Sequence, residues 1–393
     1  MIKKFLPIAL SILAPLMSIA QGDDDINISG KELNAILTTV PFLTIAPDSR
    51  SGALGDAGVA TTPDLYSEHW NPAKYVFMKG RSGFGISYTP WLANLGVTDL
   101  NLLYLSGYYK FTENQVISGG IRYFNLGTIN YTNEIGEPAG TGKPNEFAID
   151  AAYSRLFSDH FSGSLLFRFI YSDIAGGTGT LNNIEYNPGI SVGADLALYY
   201  QRPLEIDNRD AEMAFGLDIS NIATKMSYSQ GDTKEFVPTD MRLGGRFTIN
   251  LDEYNSLSAT LDLNKLLVPT PPLMNGDTIV AGHPTDVGTI PGMIQSFYDA
   301  PGKPWRDGGK PSVLCEELEE IMISGGIEYW YREQFAVRAG YFHEHANKGN
   351  RKFITAGIGL KLNIFSIDFS YLIATGRTSP LDRTKRFTLG FNF

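Results

Sequence analysis

His343 and His345 stand two residues apart, a spacing that on a β-strand sets both imidazoles on one face. Such a pair could begin a metal site, but a site takes three or four ligands. His160 and His283 fall on other loops, so all four read as loop-end histidines in solvent. Serine, histidine and aspartate are all present, yet no GxSxG, HExxH or Walker pattern joins them, and no nucleophile has an evident base. Gly176-Gly177-Thr178-Gly179 lies in an outer loop, not between a strand and a helix, so no phosphate cradle is expected. The single cysteine, Cys315, can build neither an internal disulfide, a zinc cluster nor a CxxC redox pair, and reads as a free thiol. No catalytic residue, cofactor or metal is assigned, and the chain is expected not to be an enzyme.

The 393 residues include 41 glycines and 12% aromatics, but only 19% charged residues, against about 25% in soluble domains. A net charge of −10 argues against nucleic-acid binding, because nothing offsets repulsion from the phosphates. Residues 1–20 read as a secretory signal peptide: Lys3 and Lys4, an apolar run from Phe5 to Met17, then Ser18-Ile19-Ala20 before Gln21. Loss of the two lysines would take the charge from −10 to −12. No cysteine follows the cleavage site, so a lipoprotein is not expected. No later run approaches the roughly 20 apolar residues of a helical span. An exported chain of this kind is periplasmic, secreted or an outer-membrane β-barrel.

Alternation with a period of two decides among these. Phe161, Gly163, Leu165, Phe167, Phe169 and Tyr171 share one face, opposite Ser162, Ser164, Arg168 and Ser172. Leu257, Ala259, Leu261 and Leu263 alternate with Ser256, Ser258, Thr260, Asp262 and Asn264, and Phe365, Ile367, Phe369, Tyr371 and Ile373 with Ser366, Asp368 and Ser370. Fourteen strands follow, near 82–90, 100–111, 115–125, 145–157, 161–175, 188–202, 211–223, 240–250, 255–266, 320–331, 334–343, 352–362, 364–376 and 383–393. The connections alternate long and short, as outer loops and periplasmic turns do in transmembrane barrels. The fold expected is all-β, a transmembrane antiparallel barrel over 82–393 with a long extracellular loop at 267–319. Aromatics cluster where even-numbered strands end: Tyr108, Tyr109, Phe111, Phe157, Tyr199, Tyr200, Tyr329 to Tyr331 and Phe393. That pattern predicts an aromatic girdle at the periplasmic interface.

With the apolar faces toward lipid, Arg122, Arg168, Arg242, Arg246 and Arg338 point inward with Asp150, Asp195, Asp218, Asp262, Glu328 and Asp368. Charges so nearly balanced predict salt-bridge networks or packing against a plug, with a polar conduction path as the alternative. Residues 21–81 do not read as strands. Ile36, Leu37, Val40, Phe42 and Leu43 could line a short helix. The stretch Asp48 to Ala60, rich in small residues, and Trp70-Asn71-Pro72-Ala73 suit a compact hatch or plug, an exposed extension being the alternative.

These last two motifs, the fourteen strands, the Pro-rich loop and the terminal Phe391-x-Phe393 resemble the outer-membrane barrels related to the fatty-acid transporter FadL, and among them the PorV family of type IX secretion. The resemblance covers essentially the whole mature chain. Its hatch signature falls on Gly55, Asp56, Gly58, Trp70, Asn71 and Pro72. It implies a protein of the bacterial outer membrane with loops at the cell surface. Such a protein would bind the C-terminal signal domain of secreted cargo at the translocon. It would pass the cargo to a surface complex containing a PorU-type sortase, for attachment to lipopolysaccharide. The alternative is a FadL-like transporter of hydrophobic small molecules. Met293, Ile294, Phe297, Tyr298 and Trp305 are the candidate partner-binding residues, because apolar side chains on an outer loop are costly unless they meet a partner or the barrel.

Overall fold

The computed structural model describes residues 34–393 except 98, 133–134, 178, 182–183, 230–233, 305–309 and 377–378. The expected signal peptide at 1–20, residues 21–33 and Trp305 lie outside the described residues. Fourteen antiparallel strands form one closed barrel. They are β1 (Ser82–Pro90), β2 (Leu100–Thr112), β3 (Gln115–Leu126), β4 (Asn145–Ser158), β5 (Phe161–Asp173), β6 (Gly189–Ile206) and β7 (Arg209–Ala223). The ring continues with β8 (Asp240–Asn250), β9 (Asn255–Leu266), β10 (Met322–Tyr331), β11 (Phe335–His343), β12 (Lys352–Leu362), β13 (Phe365–Ala374) and β14 (Lys385–Asn392). Each strand pairs with the next, and β1 closes on β14 with Gly83 opposite Asn392 and Tyr88 opposite Phe387.

Register follows from the alternation. In β9, Leu257, Leu261 and Leu263 are exposed on the outside, while Ser258, Thr260 and Asp262 are buried within. A one-residue slip would turn Asp262 and its like toward lipid, which fixes the pairing. The short connections are tight turns. Asp207–Asn208 and Arg332–Glu333 each place two residues at φ between 51 and 58, the backbone that matches strand twist in a hairpin. The long connections, such as 224–239 and 267–321, all lie at the opposite end of the barrel. The terminal residue completes the seam: Phe393 donates its N–H to Ser82 O at 2.7 Å, and Phe391 stacks on Phe84 at 5.1 Å between ring centres.

Two expectations need correction. The hairpin of β6 and β7 runs to Ile206 and Arg209, past the loop expected at 203–210, in spite of Pro203. Pairing of β6 with β5 ends at Tyr200 opposite Phe161, so Pro203 sits on an edge, where its missing N–H breaks no ladder bond. The girdle is also thinner than expected. Tyr109, Phe111, Phe157, Tyr331 and Phe393 are exposed, but Tyr108 and Tyr199 turn inward and pack on Tyr75 and Phe77, with ring centres 5.2 and 5.6 Å apart. Trp330 likewise lies under the Arg338 guanidinium at 5.3 Å. Neighbours on a strand face opposite sides, so of two adjacent aromatics only one can reach the outer surface.

Leu261 lies near mid-strand on the outer face. Leu261→Arg is expected to destabilise the barrel by about 2–4 kcal/mol, the cost of a cation at the bilayer midplane. Urea unfolding in phospholipid vesicles measures it, with Leu257→Arg, nearer the strand end, expected to cost less.

Candidate functional site

The N-terminal segment, described from Asn34, lies against the inner face of the barrel. The helix expected from Ile36 to Leu43 does not form. Pro41 bars Val40 from the right-handed helical region, Val40 takes φ 47, and only a single turn at Pro41–Thr44 follows. Val40, Phe42 and Leu43 instead pack on inward apolar residues of β2 to β5, among them Leu102, Phe124 and Ile170. Further along, Asp48 caps the short helix Ser49–Gly52, accepting from Ser51 N at 2.8 Å, and its other oxygen accepts from Trp70 Nε1 at 2.6 Å. The chain then turns at Gly55, φ 71, where a Cβ would meet Tyr341 O at 2.4 Å, so no larger residue fits.

Every residue of the Asp48–Ala60 and Trp70–Pro72 motifs is drawn into this interior packing. The N–H groups of Gly58 and Val59 donate to Asp262 Oδ2 of β9 at 2.6 and 2.9 Å. Asn71 Nδ2 donates to Val59 O at 3.1 Å and to Leu198 O of β6 at 2.9 Å, and its own Oδ1 caps the turn Pro72–Phe77. From the wall, Ser106 reaches Leu65 O, Ser154 reaches Pro72 O and Ser162 reaches Ala73 O, at 2.7 to 2.9 Å. Arg122, Arg242 and Arg246 donate to Leu43, His69 and Ala60 carbonyls. A segment without strand partners thus finds its backbone hydrogen bonds on side chains of the surrounding sheet.

The inward charges form networks, as their balance implied. Arg168 pairs with Asp150 at 2.6 Å and Asp195 at 3.0 Å. Arg338 pairs with Glu328 and Asp368, both at 2.6 Å, and Arg242 with Asp240 at 2.9 Å and Asp218 at 3.6 Å. The segment enters the same circuits through Arg50, which holds Glu328 at 2.7 Å and Asp64 at 3.0 Å, and through Asp56, 3.6 Å from Arg386. Arg386 was absent from the inward set read in sequence, although the outward Phe387 and Leu389 flank that same parity. Glu68 is fully buried. Burial pushes its pKa up to about 8. Burial and then the nearby Arg122 guanidinium push His69 well below its usual range; its Nδ1 accepts from Arg122 at 2.5 Å.

The 267–319 connection is folded, with a hairpin at Leu273–Asn275 and Thr278–Ala281 and helices at Thr289–Gln295 and Val313–Glu319. Ile294, Phe297 and Tyr298 are exposed and Met293 is half-buried, joined by exposed Ile290. Beneath them lies a buried ion cluster that the sequence did not signal. Lys265 binds Glu317 and Glu320 at 3.0 and 2.5 Å, and Lys348 binds Glu316 and Glu320 at 2.7 and 2.9 Å. Lys265 lies on β9, the three glutamates on the connection that follows it and Lys348 on the 344–351 connection, so no local pattern could have grouped them. Cys315 is buried and free. His345 Nδ1 lies 3.4 Å from Glu319, and among the described residues no cluster of His, Cys, Asp and Glu could hold a metal.

Between the N-terminal segment and the long-connection end lies a cavity of about 450 Å³. Aromatic rings, including Phe42, Trp91 and Phe353, share its lining with Asp240, Arg242 and Arg386.

A closed fourteen-stranded barrel, apolar outside and holding its own polar-bonded N-terminal segment within, is an outer-membrane β-barrel. The family model for "Type IX secretion system protein PorV" matches residues 28–273, more than half of the chain, and the chain belongs to that family. The match associates it with type IX secretion. No curated protein sequence matches it. Among solved structures it is similar to the toluene transporter TodX of P. putida (12% identity, 92% of this chain and 99% of that one, TM-score 0.49). It is also similar to the toluene transporter TbuX of Ralstonia pickettii (11%, 92% and 99%, 0.42) and a FadL homologue of Pseudomonas aeruginosa (10%, 89% and 99%, 0.42).

Glu328→Ala would leave Arg50 and Arg338 buried without their shared carboxylate. A loss of about 3–5 kcal/mol is expected in urea unfolding. The Glu68 pKa, raised from 4.5 to about 8, means that the packed segment holds a proton the unfolded chain releases. This stabilisation is complete below pH 4.5 and is lost as the pH rises to about 8. Amide exchange over residues 59–77 should therefore quicken across that range, and Glu68→Gln should abolish this part of the dependence.

Proposed function

We propose that this protein is the outer-membrane shuttle of type IX secretion. Its long connections face the cell surface and receive the C-terminal signal domain of secreted cargo at the translocon. The barrel then delivers that cargo to the attachment complex with its PorU-type sortase, where lipopolysaccharide is the acceptor. The observation that carries this reading is the occupied lumen. Buried ion pairs and the N-terminal segment occupy much of the bore, which leaves the outer surface as the place for a large partner. On that surface the helix Thr289–Gln295 and its continuation expose Ile290, Ile294, Phe297 and Tyr298 on a base held by the Lys265 and Lys348 ion cluster. Firm mounting favours binding, since less ordering remains to be done when a partner docks. In this reading Gly55, Asp56, Gly58, Trp70, Asn71 and Pro72 serve as a hatch that shapes the lumen and do not touch cargo.

A transporter of hydrophobic small molecules is the second reading, and the 450 Å³ cavity is what favours it. Against it, the cavity meets the ion pairs of Arg242 and Arg386.

Calorimetry of the purified barrel with an isolated type IX signal domain tests the shuttle. One-to-one binding of about −8 kcal/mol or tighter, a micromolar dissociation constant, is expected. Ile294→Asp with Phe297→Asp should weaken it at least tenfold, and deletion of 285–305 should stop cargo processing while heat-modifiable gel mobility still reports a folded barrel. Normal processing by the deletion variant would sink the assignment of this loop. Absence of binding by a folded barrel would sink the shuttle.

A further inference from the structure

Before it packs on the barrel wall from Val40 onward, the N-terminal segment is hydrogen-bonded to three of the long connections. Asn34 donates its N–H to Asn347 O at 3.1 Å, and its Nδ2 donates to Pro271 O at 3.2 Å and to Glu316 Oε1 at 3.1 Å. Thr39 donates its N–H and its hydroxyl to Phe236 O, at 2.9 and 3.1 Å. The acceptors belong to the 224–239, 267–321 and 344–351 connections. Residues 34–39 therefore find partners on the connections as the rest of the segment finds them on the wall.

Both helices of the 267–321 connection rest on residues held in this way. Glu316 belongs to the helix Val313–Glu319. Its Oε1 accepts from Asn34 and from Lys348, and its Oε2 from Gly302 N at 2.8 Å. The helix Thr289–Gln295 sits on Phe236: a Cβ at Gly292 would come within 2.9 Å of that ring, so nothing larger than glycine fits between helix and ring. Thr289 fixes the start of the same helix by donating to Ala223 O at 2.9 Å. One residue, Phe236, thus carries the helix on its ring and accepts from Thr39 at its carbonyl. Beyond Thr39 the backbone bends at Val40, φ 47, and turns onto the wall.

We infer that residues 34–39 are a clasp. They position both helices, and through them the exposed face of Ile290, Ile294, Phe297 and Tyr298, without forming part of that face. Asn34 is the central positioning residue, because one side-chain amide serves two acceptors on the connection. A face held in place leaves less to be ordered when a partner docks, so loosening the clasp weakens docking. That consequence for docking rests on the shuttle reading; the ordering of the connection does not.

The test uses the full mature protein in amphipol. Asn34→Asp keeps the size of the side chain but replaces its N–H donors with a carboxylate, set against Glu316 and Pro271 O. Amide exchange over 289–298 and 313–319 should quicken about tenfold, with the fourteen strands unmoved and heat-modifiable mobility unchanged. Asn34→Ala, which only removes the donors, should have a smaller effect. Adding Glu316→Gln to Asn34→Asp gives the new carboxylate an N–H to accept from, and should return exchange to within about threefold of the wild type. Calorimetry with the isolated signal domain should show about tenfold weaker binding to Asn34→Asp and recovery in the double variant. Exchange that is unmoved, that quickens throughout the barrel, or that Glu316→Gln fails to restore would overturn the clasp. So would unchanged affinity for a domain that the wild type binds. A wild-type barrel that binds no signal domain would sink the shuttle reading alone, and exchange would then decide the clasp.

Discussion

The hydrocarbon core of a bilayer offers backbone N–H and C=O groups no hydrogen-bond partner, and the rest of this structure depends on meeting that demand. A sheet meets it only by closing. Here closure is made by the last strand on the first, and the chain's final carbonyl accepts from Arg81 and Ser82. Closure sends alternate side chains to opposite environments. The outer face is apolar along most of its height, and the inner face takes Arg122, Arg168, Arg242, Arg246 and Arg338 with the aspartates among them.

An inner face of that kind creates a second demand. Buried charges are tolerable only when paired and hydrogen-bonded. The wall supplies most of its own counter-ions, as in Arg168 with Asp150 and Asp195, but the circuits also take in Arg50 and Asp56 from the N-terminal segment. The segment in turn has no strand partners and depends on wall side chains for its backbone hydrogen bonds. Removing either partner would leave unsatisfied groups on the other, and this mutual dependence gives the segment one position. The inward glycines serve the same end: at Gly340 a Cβ would come within 2.1 Å of Gly55 N.

With the bore occupied, the barrel's individuality lies at its long-connection end. There the Lys265 and Lys348 cluster ties the 267–319 connection to β9, to the 344–351 connection and, through Asn34 at 3.1 Å from Glu316, to the N-terminal segment. An ion cluster this buried favours a single arrangement of the loop over it. The apolar side chains of that loop are therefore presented on a shaped surface.

Much of this protein could be read from its residues in order, because barrel strands obey a local rule. A period of two located all fourteen strands, most of their inward charges and the alternation of long and short connections. The motif glycines and Trp70-Asn71-Pro72 marked a segment built for close packing. Local rules stop where partners come from distant parts of the chain. The pairing of Arg50 with Glu328 joins residues 278 positions apart, and the loop cluster draws on β9 and two separate connections, so neither left a periodic trace. Pro203 and Tyr108 were misread for the same reason. Whether a proline occupies an edge depends on where its neighbouring strand ends, and whether an end-of-strand tyrosine faces out depends on which residue beside it already does. Tertiary structure alone decided that the two short helices of the Pro-rich connection would form over a buried base. That is an outcome of long-range packing, which single positions in a sequence do not encode.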